Sequence, residues 1–215
     1  MFEARFTGEP LNINSSSLRK KVAREAASLL YSGVEKEYKQ AKLKAARTFG
    51  GHFLPTNFEV AMELDKIAEE NEGPTRQEHL IRMRKEALKL MQLLKAYQPL
   101  LIGSVWRGTI SYDSDVDIVI YHDEPEDIVE ILEQSDLKIM QTRWVAVTKK
   151  GKRKSSFHVY AELPAKEKAE IKIVPDSEVS RKEKCEIYGD EITGLTILEL
   201  EKLLKENPTH RFLPF

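Results

Sequence analysis

The chain has 215 residues, with 34 Lys and Arg against 35 Asp and Glu, for a net charge of −1. That length can bury a full hydrophobic core, while the even balance excludes a general attraction to nucleic acid and leaves only a local basic surface for that purpose. Cys185 is the single cysteine, which excludes an internal disulfide framework and a thiolate-rich zinc site. The N-terminal stretch lacks a basic segment followed by an apolar one, and no run approaches bilayer-spanning length, so the sequence reads as cytoplasmic.

From Ser17 to Phe49, Leu18, Val22, Leu29, Leu30, Val34, Leu43 and Ala46 recur at helical spacing among charged residues, with Gly33 an interruption and Gly50-Gly51 a stop. One long helix or two are expected there. Thr56 and Glu59 stand in capping-box spacing ahead of a short helix that closes on Gly73, and Thr75 and Glu78 repeat the spacing. The apolar stripe Leu80, Met83, Ala87, Leu90, Met91 and Leu94 then runs up to Tyr97 and the stop at Pro99. Beyond it the period changes. "LLIGS" and "DVDIVIY" read as strands, "DEPEDIVEILEQ" as a helix, and "LKIMQTRWVAV", "SFHVYAEL" and "AEIKIVP" as three further strands, the first two joined by a hairpin centred on Gly151. Thr196 and Glu199 cap a final helix through Leu204. The expected fold is α+β, a mixed sheet of about five strands flanked by helices. The expected organisation is a helical N-terminal extension over 1–74, a core over 75–178, and a C-terminal helix and tail over 179–215.

The stretch "GSVWRGTISYDSDVDIVIY" concentrates the chemistry. Gly103 permits close backbone approach after a strand, and Ser104 opens a short helical turn carrying Trp106 and Arg107, so that backbone N–H groups and a hydroxyl can face phosphate oxygens. Asp115 and Asp117 alternate with Val116, Ile118 and Ile120, which places both carboxylates on one face of a strand. Nucleotidyl transfer uses this pairing, because Mg²⁺ takes oxygen ligands and bridges carboxylates to phosphates.

With ten residues between Ser104 and Asp115, the segment resembles the nucleotidyltransferase superfamily of DNA polymerase beta type, whose signature is a Gly-Ser turn followed by Asp-x-Asp on a strand. "GSVWRGT", "SDVDI", "YAELP" and "EIKIVP" resemble the catalytic domain of archaeal CCA-adding enzymes. The whole chain resembles a group of archaeal proteins described only as predicted nucleotidyltransferases. The resemblance implies a nucleotidyltransferase fold, Mg²⁺ or Mn²⁺ as cofactor, and transfer of a nucleoside monophosphate from a triphosphate to an acceptor, RNA or protein being favoured. It places triphosphate on Gly103, Ser104 and Arg107, metal on Asp115 and Asp117, and a third carboxylate on a later strand. There the sequence departs from the pattern. Lys172 occupies the position of the third acid, and a cation opposes metal binding. Glu170, two residues earlier and on the same strand face, is the candidate for that role, with Glu162 on the preceding strand as the other. The alternative reading is a nucleotide- or RNA-binding protein whose catalytic set has lapsed at Lys172, and a third is a scaffold whose helical region binds a protein.

Lys149, Lys150, Lys152, Arg153 and Lys154 cluster on the hairpin tip, where they could grip an RNA backbone or simply be solvated. His158 and the other four histidines show no metal-ligand spacing and read as structural or exposed.

Overall fold

A computed structural model describes residues 11–50, 53–149 and 152–214. They fall into two compact units, one reaching to Asn71 and including Glu186–Tyr188, the other formed by Glu72–Cys185 and the chain from Gly189 onward.

In the first unit, α1 (Leu11–Tyr31), α2 (Tyr38–Thr48) and α3 (Asn57–Glu72) surround a core of small side chains. The helical pattern from Ser17 to Phe49 is thus two helices, broken at Gly33, whose φ of 70° is left-handed. Val22, Ala23, Ala26, Ala27, Ala41, Ala45 and Ala46 are buried together with Val60 and Ile67. Alanine at the contact positions lets helices approach closely, since no long side chain holds their axes apart. Thr56 and Glu59 form the expected capping box. The Glu59 N–H donates to Thr56 Oγ1 at 3.1 Å, and the Thr56 N–H donates to Glu59 Oε2 at 2.6 Å.

The second unit opens with α4 (Pro74–Leu93). Its start differs from the sequence expectation. Pro74, which lacks an N–H and is preset to helical φ, takes the first position. Thr75 therefore sits inside the first turn and donates to the Glu72 carbonyl at 2.6 Å. The five strands are β1 (Leu100–Ile102), β2 (Val116–Tyr121), β3 (Lys138–Lys149), β4 (Lys152–Glu162) and β5 (Lys168–Val174). Their order across the sheet is β1-β2-β5-β4-β3. Only β2 and β5 run parallel; the other neighbouring pairs are antiparallel. The fold is therefore α+β with a mixed five-stranded sheet, and seven α-helices lie among the described residues.

One face of the sheet is apolar: Val116, Ile118 and Ile120 of β2, Ala169, Ile171 and Ile173 of β5, and Val159 and Ala161 of β4 are all buried with Leu80, Met83, Ala87 and Met91 of α4. Ile128 and Leu132 of α6 (Pro125–Glu133) and Leu200 of α7 (Ile197–Glu206) join that core. Thr196 and Glu199 cap α7 reciprocally, as their spacing predicts. The opposite face carries Asp117, Val119 and Tyr121, with Glu170, Lys172 and Val174 beside them, because successive side chains of a strand point to opposite faces.

Candidate functional site

The site is built where β1 hands over to α5 (Gly103–Arg107) and where β2 begins. Gly103 has a φ of 72°, and a Cβ at this position would lie 1.9 Å from Asp117 Oδ2. Glycine is thus required on two counts: the left-handed backbone disfavours a side chain, and the space is filled by the aspartate. The turn and the second aspartate of the Asp-x-Asp pair are packed against each other. Asp115 precedes β2, and Asp117 sits in it between the buried Val116 and Ile118.

The parallel register of β2 and β5 pairs Asp117 with Glu170 and Val119 with Lys172. Glu170 therefore stands beside Asp117 with no slip of register. One ligand atom from each of Asp115, Asp117 and Glu170 lies within 4.8 Å of the others. Burial, followed by the charges of Asp115 and Glu170, holds the Asp117 carboxyl well above the ordinary carboxylate range. Asp115 is also raised, with burial the largest cause. Like-charged groups gathered in a desolvated place are costly unless a cation joins them. An all-oxygen donor set of this kind fits a hard divalent cation such as Mg²⁺ or Mn²⁺.

The remaining sequence candidates fall elsewhere. Lys172 lies one strand step beyond Glu170 on the same face and is 3.7 Å from Glu183 Oε2. Glu162 is the last residue of β4, opposite Lys168 and two residues past the Tyr160–Glu170 pair, and its side chain is taken up by Lys166 at 2.7 Å. Ser104 is half-buried in the turn, its carbonyl accepting from the Thr109 N–H at 3.0 Å. Arg107 is only 4% exposed. Its guanidinium donates to Asp190 Oδ1 at 2.7 Å and to the Phe212 carbonyl at 3.1 Å, so it fastens the C-terminal segment to α5. In the basic cluster, Lys150 and the side chains of Lys149, Lys152 and Arg153 lie outside the described residues. Lys154 is ion-paired with Glu178 and Glu183 at 2.9 and 3.2 Å.

Two features had no motif to announce them. A cleft of about 870 Å³ opens at the C-terminal end of β2, lined by Tyr97, Leu100, Tyr121, His122, Arg181 and Thr193 among others. A smaller hollow shares Leu100, Tyr121, Arg181 and Thr193 with it and includes Val119 and Lys172, one strand step from Asp117 and Glu170. The second feature is Arg84, which is 0% exposed and donates to the carbonyls of Val105, Trp106, Pro208 and His210 at 2.7 to 3.1 Å. Burial lowers its pKa to about 10. Its apolar neighbours at helical spacing, Leu80 and Ala87, mark its face of α4 as inward, which is the one signal the sequence held.

A tight glycine turn packed on a strand-borne Asp-x-Asp pair, with a third acid on the neighbouring parallel strand, defines a protein of the nucleotidyltransferase class. The family model for the nucleotidyltransferase domain matches residues 81–188, just over half of the chain, and the chain belongs to that family. No curated protein matches it significantly. No helix among the described residues is long and apolar enough to cross a membrane.

Proposed function

We propose that the protein is a catalytically competent, divalent-metal-dependent nucleotidyltransferase that moves a nucleoside monophosphate from a nucleoside triphosphate to an acceptor hydroxyl on RNA or protein. The observation that carries this reading is the convergence of Asp115, Asp117 and Glu170 within 4.8 Å beside the Gly103 turn. Asp115 and Asp117, with Glu170 completing the set, would hold Mg²⁺ or Mn²⁺, which when bound would neutralise phosphate charge and align the reacting oxygens. The backbone of Gly103 and the hydroxyl of Ser104 receive the triphosphate, with Arg107 bracing the turn from behind. Glu170 accepts the proton of the attacking hydroxyl as the bond to the α-phosphorus forms and pyrophosphate departs.

Direction along the sheet supports a place for the nucleoside. The phosphate turn and the carboxylates packed against it lie at the N-terminal end of β2, whereas the cleft with Tyr97, Tyr121 and Arg181 lies at its C-terminal end. A triphosphate on the turn extends its sugar and base towards that cleft. The position of Glu170 opposite Asp117 supports a competent enzyme over a lapsed one, because it offers the acid that Lys172 does not.

The test is transfer of α-labelled nucleoside triphosphates onto total RNA and total protein from the source organism, with Mg²⁺ or Mn²⁺, against an Asp115→Ala/Asp117→Ala control. Label should reach one acceptor class and vanish in the control. Transfer that survives the double substitution, or none from the native chain while it still binds metal and triphosphate, would defeat the reading.

A further inference from the structure

Ser156, His158 and Tyr160 alternate along β4 on the same sheet face as Glu170, with Tyr160 opposite Glu170 and His158 opposite Lys172. His158 reaches back along the strand, and its Nδ1 hydrogen-bonds Glu170 Oε1. On the other side of the ring, Ser156 Oγ lies 2.7 Å from Nε2. Ser156 is 6% exposed and the His158 side chain 12%, so the two are packed in place.

Glu170 needs such a partner. Its side chain has three rotatable bonds, and the charges of Asp115 and Asp117 repel it from the position that completes the carboxylate set. A donor fixed on the neighbouring strand opposes that repulsion and reduces the conformers open to the carboxylate. An Nδ1–H facing the carboxylate leaves Nε2 of the neutral ring as acceptor for the Ser156 hydroxyl, which orients the ring. A charged ring would also donate from Nδ1, so the arrangement does not depend on its titration.

We propose that His158, anchored by Ser156, is a positioning residue that holds Glu170 in the conformer able to share a divalent cation with Asp115 and Asp117. This rests on the reading of the three carboxylates as a metal site, and outer partners of metal-ligating groups are typically worth 10- to 100-fold in metal affinity.

The experiment titrates Mn²⁺ alone into the full chain, reading unbound ion by its electron paramagnetic resonance signal. Folding of each variant is checked by melting temperature in chelator. Asp117→Asn and Glu170→Gln should weaken Mn²⁺ binding. If the native chain binds no Mn²⁺, or Asp117→Asn binds it unchanged, the metal reading falls and the positioning role with it. His158→Asn keeps an N–H donor near the place of Nδ1, whereas His158→Gln carries its donor towards the place of Nε2. Asn should therefore stay within about threefold of the native affinity, while Gln and Phe lose about tenfold or more. Equal affinities for Asn and Gln, or native affinity in Gln and Phe while Glu170→Gln is weakened, would overturn the positioning role and leave the carboxylate site standing. Should the Phe variant fail to fold, the Asn and Gln pair decides.

Discussion

The helical unit and the sheet use the same acidic residue types in opposite ways. In the helical unit Glu59, Glu63 and Glu70 face cations. Arg19 grips Glu59 through two bonds of 2.7 Å, Arg24 reaches Glu63 and Glu70 at 3.4 and 2.6 Å, and Lys66 meets Glu63 at 2.7 Å. In the sheet, Asp115, Asp117 and Glu170 face one another, and the influences on Asp117 are its burial and the other two acids, all of which oppose its charge. Of these acids Glu63 is buried against its cations, while Glu59 and Glu70 are paired on a half-exposed helix surface, where such pairs contribute modestly to stability. Acids assembled without counter-charge destabilise the fold locally and persist where a ligand supplies the charge. The difference separates residues that serve folding from residues held in readiness for a ligand.

The largest expected effect comes from Asp117→Asn. Transfer should fall by about 10³-fold, while the metal-free protein becomes more stable by about 0.5–2 kcal/mol, because a buried repelling charge is removed. The sign follows from the raised pKa of Asp117. Its ionised form is penalised in the fold, so the native chain loses stability as pH rises from the ordinary carboxylate value towards the raised one, and the variant loses less, because only the buried Asp115 carboxyl of the pair is left to be penalised. Melting curves in chelator, set beside transfer rates, check both halves; a lower melting temperature in the variant would erase the contrast between the two regions.

Arg84→Met comes next. Arg84 is a buried cation that donates to four carbonyls, and removing it leaves buried acceptors unsatisfied in α5 and in the C-terminal segment. A loss of about 3–5 kcal/mol is expected by denaturant unfolding. A loss below about 1 kcal/mol would show that water replaces the guanidinium and that α5 does not depend on it.

The smallest effect belongs to Glu59 and Arg19. The Arg19 guanidinium, with help from Thr56, holds the Glu59 carboxyl down at about 2, against a desolvation cost. A depressed folded-state pKa stabilises above the unfolded value and is lost as pH falls towards about 2. Both side chains are more than a third exposed, so the pair should contribute under about 1 kcal/mol. Arg19→Ala should melt slightly below the native chain at pH 7, and the gap should close between about pH 5 and pH 2. A gap that widens on acidification would assign the pair's effect to something other than charge.

The sequence by itself determined the local features. Gly103-Ser104 and the alternation around Asp115 and Asp117 read as a turn and a half-buried strand because glycine freedom and period two are properties of neighbouring residues. The capping boxes at Thr56 and Thr196 followed from spacing alone, whereas the same spacing at Thr75 misled, because Pro74 competes for the helix start one residue earlier. Tertiary structure decided the rest. That Glu170 faces Asp117, and Lys172 faces Val119, is a matter of parallel register between strands separated by a helix and a hairpin, and no local pattern fixes such a register. His158 and Ser156 gained their partner the same way, since β4 brings them to β5 only once the hairpin folds back. Arg107, suited by position to a phosphate, was drawn instead to Asp190 and Phe212, which lie far along the chain and come beside it only in the folded unit. Local residue order could write the phosphate turn and two aspartates, but the third carboxylate and whatever steadies it depended on which strands came to lie side by side.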